Sequence, residues 1–207
     1  MSKTTQERLL AAGLQMLLER GYNAMGIQDL LAETGTPKGS FYHHFNSKEA
    51  FALAVVDTYM EDVHRGLDQT LTNPDRAPLE RVRDFLELSA EKYRSEGNLG
   101  CLLGGLGQEL SVINDRFRVK IGQCLATIAE RFAVCFNEAR AQGDLPPQTD
   151  AQTLANRLLD CWEGAALRSR LLRDPAPLFD MLDFYFAQMG SASDVTSQHS
   201  SVHDSAG

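Results

Sequence analysis

The sequence predicts an all-α protein of nine helices, and three observations support this fold class. Apolar residues recur at helical spacing through most of the 207 residues. Helix start and stop signals separate these stretches at intervals typical of helix lengths. No stretch shows the sustained alternation of β-branched residues that a half-buried strand needs.

The first two helices are delimited by their caps. Thr4 and Glu7 have the spacing of a capping box ahead of the first helix, which Gly21 is expected to end. A second, short helix is predicted over about 27–33. Gly35 then stops it, because glycine tolerates the left-handed conformation that ends many helices.

The next two helices follow without a long loop. Thr36 is a candidate N-cap for the third helix, with Pro37 at its first position and an end near His44. Asn46 and Ser47 are expected to start the fourth helix, which continues to about residue 71.

Five further helices are predicted after a turn at residues 73–78. Their expected extents are about 79–95, a short helix opened by the glycine-rich stretch 100–107, a long helix ending near 143, an eighth from the Thr149–Gln152 capping box to about 173, and a ninth from 174–175 to about 190. Residues 191–207 are rich in Ser, Asp and His, so we expect them to form a disordered tail.

Composition excludes several classes of protein. No apolar run approaches the roughly 18 residues of a membrane span, and the polar first residues lack the apolar core of a signal peptide. The four cysteines show no spacing typical of a zinc site or a disulfide framework. We therefore expect a cytoplasmic protein with no membrane partner, no metal and no cofactor.

The net charge of −8 is unevenly distributed along the chain. Residues 1–50 contain five basic and five acidic side chains, so the acidic excess lies beyond residue 50. Between Thr34 and Lys48 there are two lysines, two histidines and no acid. The overall charge weighs against nucleic acid as a partner, whereas this locally basic segment favours it.

Residues 26–48 carry the strongest functional signal. Two short helices meet there at a turn centred on Gly35. The apolar faces that join them are expected to be formed by Ile27, Leu30, Leu31, Phe41 and Phe45. The other face of the second helix presents Lys38, Ser40, Tyr42, His43 and His44. Donors, a cation and aromatic rings without a carboxylate are typical of a recognition helix in a DNA major groove, and the competing interpretation is an ordinary buried hairpin.

The run Gly-Thr-Pro-Lys-Gly-Ser-Phe-Tyr-His-His-Phe-Asn-Ser-Lys-Glu over residues 35–49 resembles the helix-turn-helix signature of TetR-family transcriptional regulators. The preceding Gly21-Tyr22 pair fits the same signature. This resemblance implies a DNA-binding head at 1–48 and a ligand-binding and dimerising body at 49–190, in the nine-helix TetR-like fold.

The resemblance also implies which side chains face DNA. They are Gln28, Thr36, Pro37, Lys38, Ser40, Tyr42, His43, His44 and Lys48. Tyr42 and Lys48 are expected to contact phosphates, and Thr36, Lys38 and His43 to approach base edges. Where the family usually has Ser or Thr at the start of the second helix, this chain has Met25-Gly26, so Gln28 is expected to make the phosphate contact instead.

A homodimer is the expected assembly, because two recognition helices match the two halves of a palindromic double-stranded DNA operator. The residues available for an interface include the eighth-helix side chains Leu158, Cys161, Trp162, Ala165 and Ala166 and the ninth-helix stripe Phe179, Leu182, Phe186 and Met189. They could equally belong to the core of one chain. The resemblance favours dimerisation through helices eight and nine.

The stretch Leu99–Glu109 resembles the NemR/AcuR subgroup of the same family. Cys101 lies near a helix start, where the helix dipole favours a thiolate. In that subgroup a cysteine in this context senses electrophiles, assisted by a lysine that corresponds here to Arg170. We expect Arg168 or Arg170 to bind a small carboxylate instead, with Trp162 near the pocket. Cys101 is either the sensor or a small buried residue.

The sequence therefore predicts a transcriptional repressor that releases a palindromic operator when a small molecule binds or reacts. The effector would be an electrophile or a small carboxylate such as acrylate. The alternative is a cysteine-based redox or electrophile sensor that regulates detoxification genes. An all-α enzyme is disfavoured, because no convergent acid–base or nucleophile set is evident.

Overall fold

The computed structural model describes residues 4–97 and 99–197, and within these ranges it contains nine α-helices and no β-strand. In chain order they are α1 (Thr5–Ala24), α2 (Ile27–Thr34), α3 (Lys38–His44), α4 (Lys48–Leu71), α5 (Pro78–Ser95), α6 (Leu102–Leu110), α7 (Asp115–Gln142), α8 (Ala151–Leu172) and α9 (Ala176–Ser197). The predicted all-α class and helix order are confirmed. Over the same residues, no helix combines the length and apolar character needed to cross a membrane.

Packing divides the described chain into two compact units. The first contains the residues up to Arg65 together with Leu99–Cys124, and the second contains those of 66–97 and from 125 onward. The head expected over 1–48 thus lies within a larger unit that also includes the start of α4, all of α6 and the start of α7. Its functional boundary at residue 48 stays a prediction.

The first unit is organised around α1, which contacts α2, α3 and α6. Leu9, Leu30, Phe41 and Phe51 are fully buried there, and the ring centroids of Phe41 and Phe51 lie 5.4 Å apart. Full burial of such a side chain contributes about 1.5–3 kcal/mol to stability. This apolar cluster fixes one side of α3, so the polar side of that helix is left for other contacts.

The second unit is organised around α9, which contacts both α5 and α8. Leu158 and Leu182 are fully buried between these helices. The rings of Phe85 and Phe132 meet edge to face, with centroids 5.7 Å apart. Two of the four residues of the predicted stripe on the ninth helix, Leu182 and Met189, are thus buried within one chain, and the other two are half-buried.

Several predicted helix ends are confirmed. Thr4 Oγ1 accepts a hydrogen bond from the Glu7 N–H, and Glu7 Oε2 accepts one from the Thr4 N–H, which completes the capping box. Gly21 breaks the geometry of α1 with φ 77° and ψ 177°, although a short turn continues to Ala24. Gly35 ends α2 in the left-handed conformation, with φ 61° and ψ 27°.

Two predicted N-caps are wrong by one residue. α3 is preceded by Pro37 rather than Thr36, because the Thr36 N–H donates to the Leu31 carbonyl in the turn that ends α2. α8 is capped by Asp150 rather than Thr149, and the Asp150 carboxylate accepts from the amides of the first helical turn. In both places the preceding turn includes the threonine that the sequence suggested as the cap.

The predicted end of the ninth helix is also corrected. α9 continues through residues 191–197, which were expected to begin a disordered tail. Gly190 is absent from the glycines with positive φ among the described residues. It therefore keeps a helical backbone rather than terminating the helix, and no proline follows it to do so. The rest of the expected tail, 198–207, lies outside the described residues.

Candidate nucleic-acid interface

The α2–α3 hairpin turns at Gly35 and is held by a buried apolar seam. Leu30, Leu31, Phe41 and Phe45 are all buried, which confirms most of the predicted apolar faces, while Ile27 is half-buried. Gly35 has a left-handed backbone conformation that residues with a Cβ rarely adopt. The hairpin therefore presents α3 with a defined inner side and a defined outer side.

The structure places most of the predicted DNA-facing residues on the outer side. Exposed positions are Gln28, Pro37, Lys38, Tyr42, His43 and His44, whereas Ser40 and Lys48 are half-buried. The Tyr42 ring and hydroxyl are 45% exposed. The Lys38 ammonium lies 6.0 Å from the centroid of the Tyr42 ring, so a cation and a phenol share one turn of the helix.

Thr36 is the exception among the predicted contacts. It is only 5% exposed, and its hydroxyl is buried without a hydrogen-bond partner among the described residues. The side chain points inward because the Thr36 backbone is part of the turn that closes α2. The expected contact of this side chain with a base edge is therefore not supported by its placement.

The electrostatics of this face favour an anionic partner. α3 contains one lysine and two histidines and no carboxylate. The rings of His43 and His44 meet edge to face, with centroids 5.2 Å apart. A helix is the element that the major groove of B-DNA admits, and short donors with a cation suit base edges and phosphates.

Lys48 lies in a junction that the sequence did not reveal. Its ammonium is 4.5 Å from the centroid of the Tyr22 ring and donates to the Asn23 carbonyl at 3.4 Å. Desolvation by burial lowers the pKa of Lys48, and Glu109 opposes that shift. Burial, with Glu49 and Glu109, raises the pKa of Tyr22. The Gly21-Tyr22 pair is part of the sequence signature, but no neighbouring residue in the sequence indicates a contact with Glu109.

Comparison with known proteins decides the family. Residues 9–55 match the family described as bacterial regulatory proteins, tetR family, and residues 78–183 match the family described as tetracyclin repressor-like, C-terminal domain. The chain belongs to the TetR family of transcriptional regulators. Its members are regulators rather than enzymes. The α2–α3 hairpin lies within residues 9–55, the part of the chain that matches the tetR family.

Individual TetR-family relatives are similar to this chain along most of its length. It is 40% identical to the transcriptional regulator AcuR of Cereibacter sphaeroides over 83% of this chain and 79% of that protein. It is 28% identical to the transcriptional repressor NemR of Escherichia coli over 86% of this chain and 90% of that protein. A solved TetR regulatory protein from Rhodobacter sphaeroides superposes with a TM-score of 0.84 at 38% identity, covering 88% and 97% of the two chains.

Cys101, the expected sensor of this TetR-family regulator, belongs to the first unit. It is the N-cap residue of α6 and is half-buried. Its Sγ lies 3.8 Å from the hydroxyl of Tyr59, whose side chain is buried. The position at the N-terminal end of a helix is as predicted, and the tyrosine is a neighbour that sequence spacing did not indicate.

The other expected effector residues belong to the second unit. Trp162 is buried, and its ring centroid lies 5.9 Å from that of Tyr93. Arg168 and Arg170 are exposed on α8 on either side of the buried Ser169. Their role in holding a carboxylate stays a prediction.

The second unit of this regulator also has a groove on α8 and α9, with a volume of about 540 Å³. Its lining residues are Leu145, Pro146, Thr149, Leu154, Arg157, Asp160, Cys161, Phe184, Tyr185, Gln188 and Met189. The Tyr185 hydroxyl donates to the Leu154 carbonyl at 2.8 Å, and burial raises the pKa of this tyrosine. Cys161 is exposed here, whereas Cys124 and Cys135 are buried, and burial raises the pKa of both thiols.

Proposed function

We propose that this chain is a homodimeric, ligand-responsive transcriptional repressor that acts in the cytoplasm on a palindromic double-stranded DNA operator. The observation that carries the proposal is the exposed, carboxylate-free outer side of α3 on a hairpin whose inner side is fully packed. A rigid helix with Lys38, Tyr42 and His43 outward can bind phosphates and base edges without losing its place in the core.

Dimerisation is proposed to use α8 and α9. These helices expose the large apolar side chains Leu167, Leu171, Leu172 and Phe184. Large exposed apolar patches mark interaction surfaces in soluble proteins. A two-fold pairing of these helices would cover the leucines and bring two recognition helices to one operator.

The effector is proposed to be an electrophile or a small carboxylate such as acrylate. For an electrophile, the Cys101 sulfur would add to the β-carbon of an unsaturated carbonyl compound, and the thiol proton would pass to the α-carbon. The addition needs no oxidant. The half-buried position of Cys101 beside the Tyr59 hydroxyl supports this version, which makes the chain a cysteine-based sensor for detoxification genes. For a carboxylate, Arg168 or Arg170 would supply a bidentate partner.

The DNA-binding proposal is tested by a gel-shift with the DNA upstream of the chain's own gene. We expect a complex of two chains per duplex that weakens steeply as salt rises, because each phosphate contact releases a counterion. A scrambled duplex of the same length should bind far more weakly at the same salt. A folded dimer that retards neither duplex at low salt would overturn the proposal.

The sensing proposal is tested with N-ethylmaleimide as the probe. We expect it to release DNA from the wild-type protein and from Cys161→Ser, which removes the exposed thiol on α8. Cys101→Ser should keep its DNA under the same treatment. Release from Cys101→Ser at the wild-type rate would show that Cys101 is not the sensor and would leave the carboxylate version standing.

A further inference from the structure

A carboxylate from α6 holds the backbone at the end of α1. Glu109 Oε2 accepts a hydrogen bond from the Tyr22 N–H at 2.7 Å, and Glu109 Oε1 accepts one from the Asn23 N–H at 2.6 Å. Hydrogen bonds to an ionised acceptor are shorter and roughly twice as strong as those between neutral groups. One half-buried side chain thus binds two consecutive amides that are 86 and 87 residues away in sequence.

Gly21 makes this close approach possible. Its φ of 77° interrupts α1 immediately before the two amides. A Cβ at this position would lie 2.6 Å from Glu109 Oε2, closer than real Cβ contacts come. The backbone angle therefore requires glycine here, and a Cβ would displace the carboxylate from the two amides.

The same junction orders the start of α4. Lys48, the first residue of α4, places its ammonium over the Tyr22 ring and against the Asn23 carbonyl. The Tyr22 ring also meets Phe117 edge to face, with centroids 5.4 Å apart. Only residues 45–47 separate α3 from α4. The position of Lys48 therefore constrains the path of the chain at the end of α3.

We infer that Glu109 is a positioning residue for DNA binding, which holds Tyr22 and Asn23 in the arrangement that orders Lys48 and the end of α3. Its negative charge would repel phosphate, so it acts through these groups and not by contact with DNA. The inference rests on the proposed function and adds a route for its regulation. α6 carries Cys101 at its N-cap and Glu109 in its last turn, so a shift of this nine-residue helix alters the contact with Tyr22 and Asn23.

The sign of one substitution separates positioning from simple electrostatics. Glu109→Gln removes a negative charge, which by charge alone should strengthen binding to DNA. We expect it instead to weaken binding to the operator found in the gel-shift by about tenfold, because a neutral amide is a poorer acceptor for two N–H groups. Glu61→Gln, at an exposed position of α4 in the same unit, is the matched control and should bind as tightly as wild type or tighter.

Amide hydrogen exchange measured by NMR on the full chain gives a readout that does not depend on DNA. In Glu109→Gln the amides of Tyr22 and Asn23 should exchange at least about tenfold faster, whereas the Leu30 amide of α2, which donates to the Gly26 carbonyl, should keep its protection. Gly21→Ala, which places a Cβ against the Glu109 carboxylate, should likewise weaken operator binding and speed exchange at Tyr22 and Asn23.

Three results would overturn the inference. Operator binding by Glu109→Gln as tight as that of Glu61→Gln would show that Glu109 is not a positioning residue for DNA binding. Faster exchange throughout α2 and α3 would indicate general destabilisation. Unchanged exchange at Tyr22 and Asn23 would show that the carboxylate does not hold them. If the wild-type chain shifts no DNA, the proposed function fails, and the exchange rates alone then decide whether Glu109 holds the end of α1.

Discussion

The α2–α3 hairpin and the α8–α9 pair differ in what they leave uncovered. Both bury an apolar side against the rest of their own unit. The hairpin exposes Lys38, His43 and His44, whereas α8 and α9 expose leucines and Phe184. A charged outer side suits an anionic polymer, and an apolar one suits a second apolar surface. The two faces are therefore matched to two kinds of partner, and substitutions can test each separately.

The largest effect is expected from removing a buried aromatic ring on the inner side of α3. Phe41→Ala deletes a fully buried ring, which should lower the free energy of unfolding by about 3–5 kcal/mol. Urea denaturation followed by circular dichroism measures the loss. Tyr42→Ala, at the neighbouring exposed position, should change stability by less than about 1 kcal/mol. Similar losses for the two variants would mean that α3 does not have the two distinct sides described here.

The apolar face of α8 is tested by a pair of equally exposed leucines. Leu172 on α8 and Leu88 on α5 are both 60% exposed. Leu172→Glu should raise the dimer dissociation constant by about a hundredfold, because a charge at an apolar interface costs roughly 2–3 kcal/mol. Leu88→Glu should leave it unchanged. Analytical ultracentrifugation distinguishes the two, and dissociation of the Leu88 variant alone would move the interface away from α8.

The charged face of the hairpin is tested by Lys38→Ala. We expect operator affinity to fall by about tenfold. The slope of log affinity against log salt tells which contact is lost, because it falls by about one for a phosphate contact and stays unchanged for a base-edge contact. Lys92→Ala on α5 removes the same charge from the second unit and should change neither quantity. Fluorescence anisotropy over a salt series measures both. Unchanged operator affinity for Lys38→Ala would mean that this lysine does not reach DNA.

The smallest expected effect compares one deleted hydroxyl in each region. Tyr42→Phe should weaken operator binding about fivefold, as for one lost hydrogen bond worth about 1 kcal/mol. Tyr185→Phe removes the donor to the Leu154 carbonyl and should instead lower unfolding stability by about 1–2 kcal/mol. Anisotropy and urea denaturation are measured on both variants. Crossed results, with Tyr185 affecting affinity and Tyr42 stability, would contradict the roles assigned to the two faces.

The helices and the recognition face could be predicted from the sequence because both depend on neighbouring residues. Apolar spacing and glycine stops identified, in the correct order, the nine helices found among the described residues. The absence of acids from Thr34 to Lys48 identified the outer side of α3, on which Lys38 and His43 are indeed exposed. Errors of one residue arose at Thr36 and Thr149, because each threonine belongs to the turn that precedes its helix.

The effector region was less predictable, because a pocket is made by residues distant in sequence. Cys101 could be placed at a helix start from its local context alone. Its neighbour Tyr59 is 42 residues away, and no periodicity relates the two. Likewise, the exposure of Arg168 and Arg170 depends on which side of α8 the rest of the second unit covers.

The fold class, the helix-turn-helix and the polar character of the outer side of α3 are encoded in short stretches of the sequence. These follow from propensity, caps and spacing within about one helix length. The packed fold, by contrast, set the burial of the Thr36 side chain and the continuation of α9 through 191–197. It also decided that Glu109 meets the amides beyond Gly21. Contacts between distant segments depend on how helices pack in three dimensions, which a local pattern cannot specify.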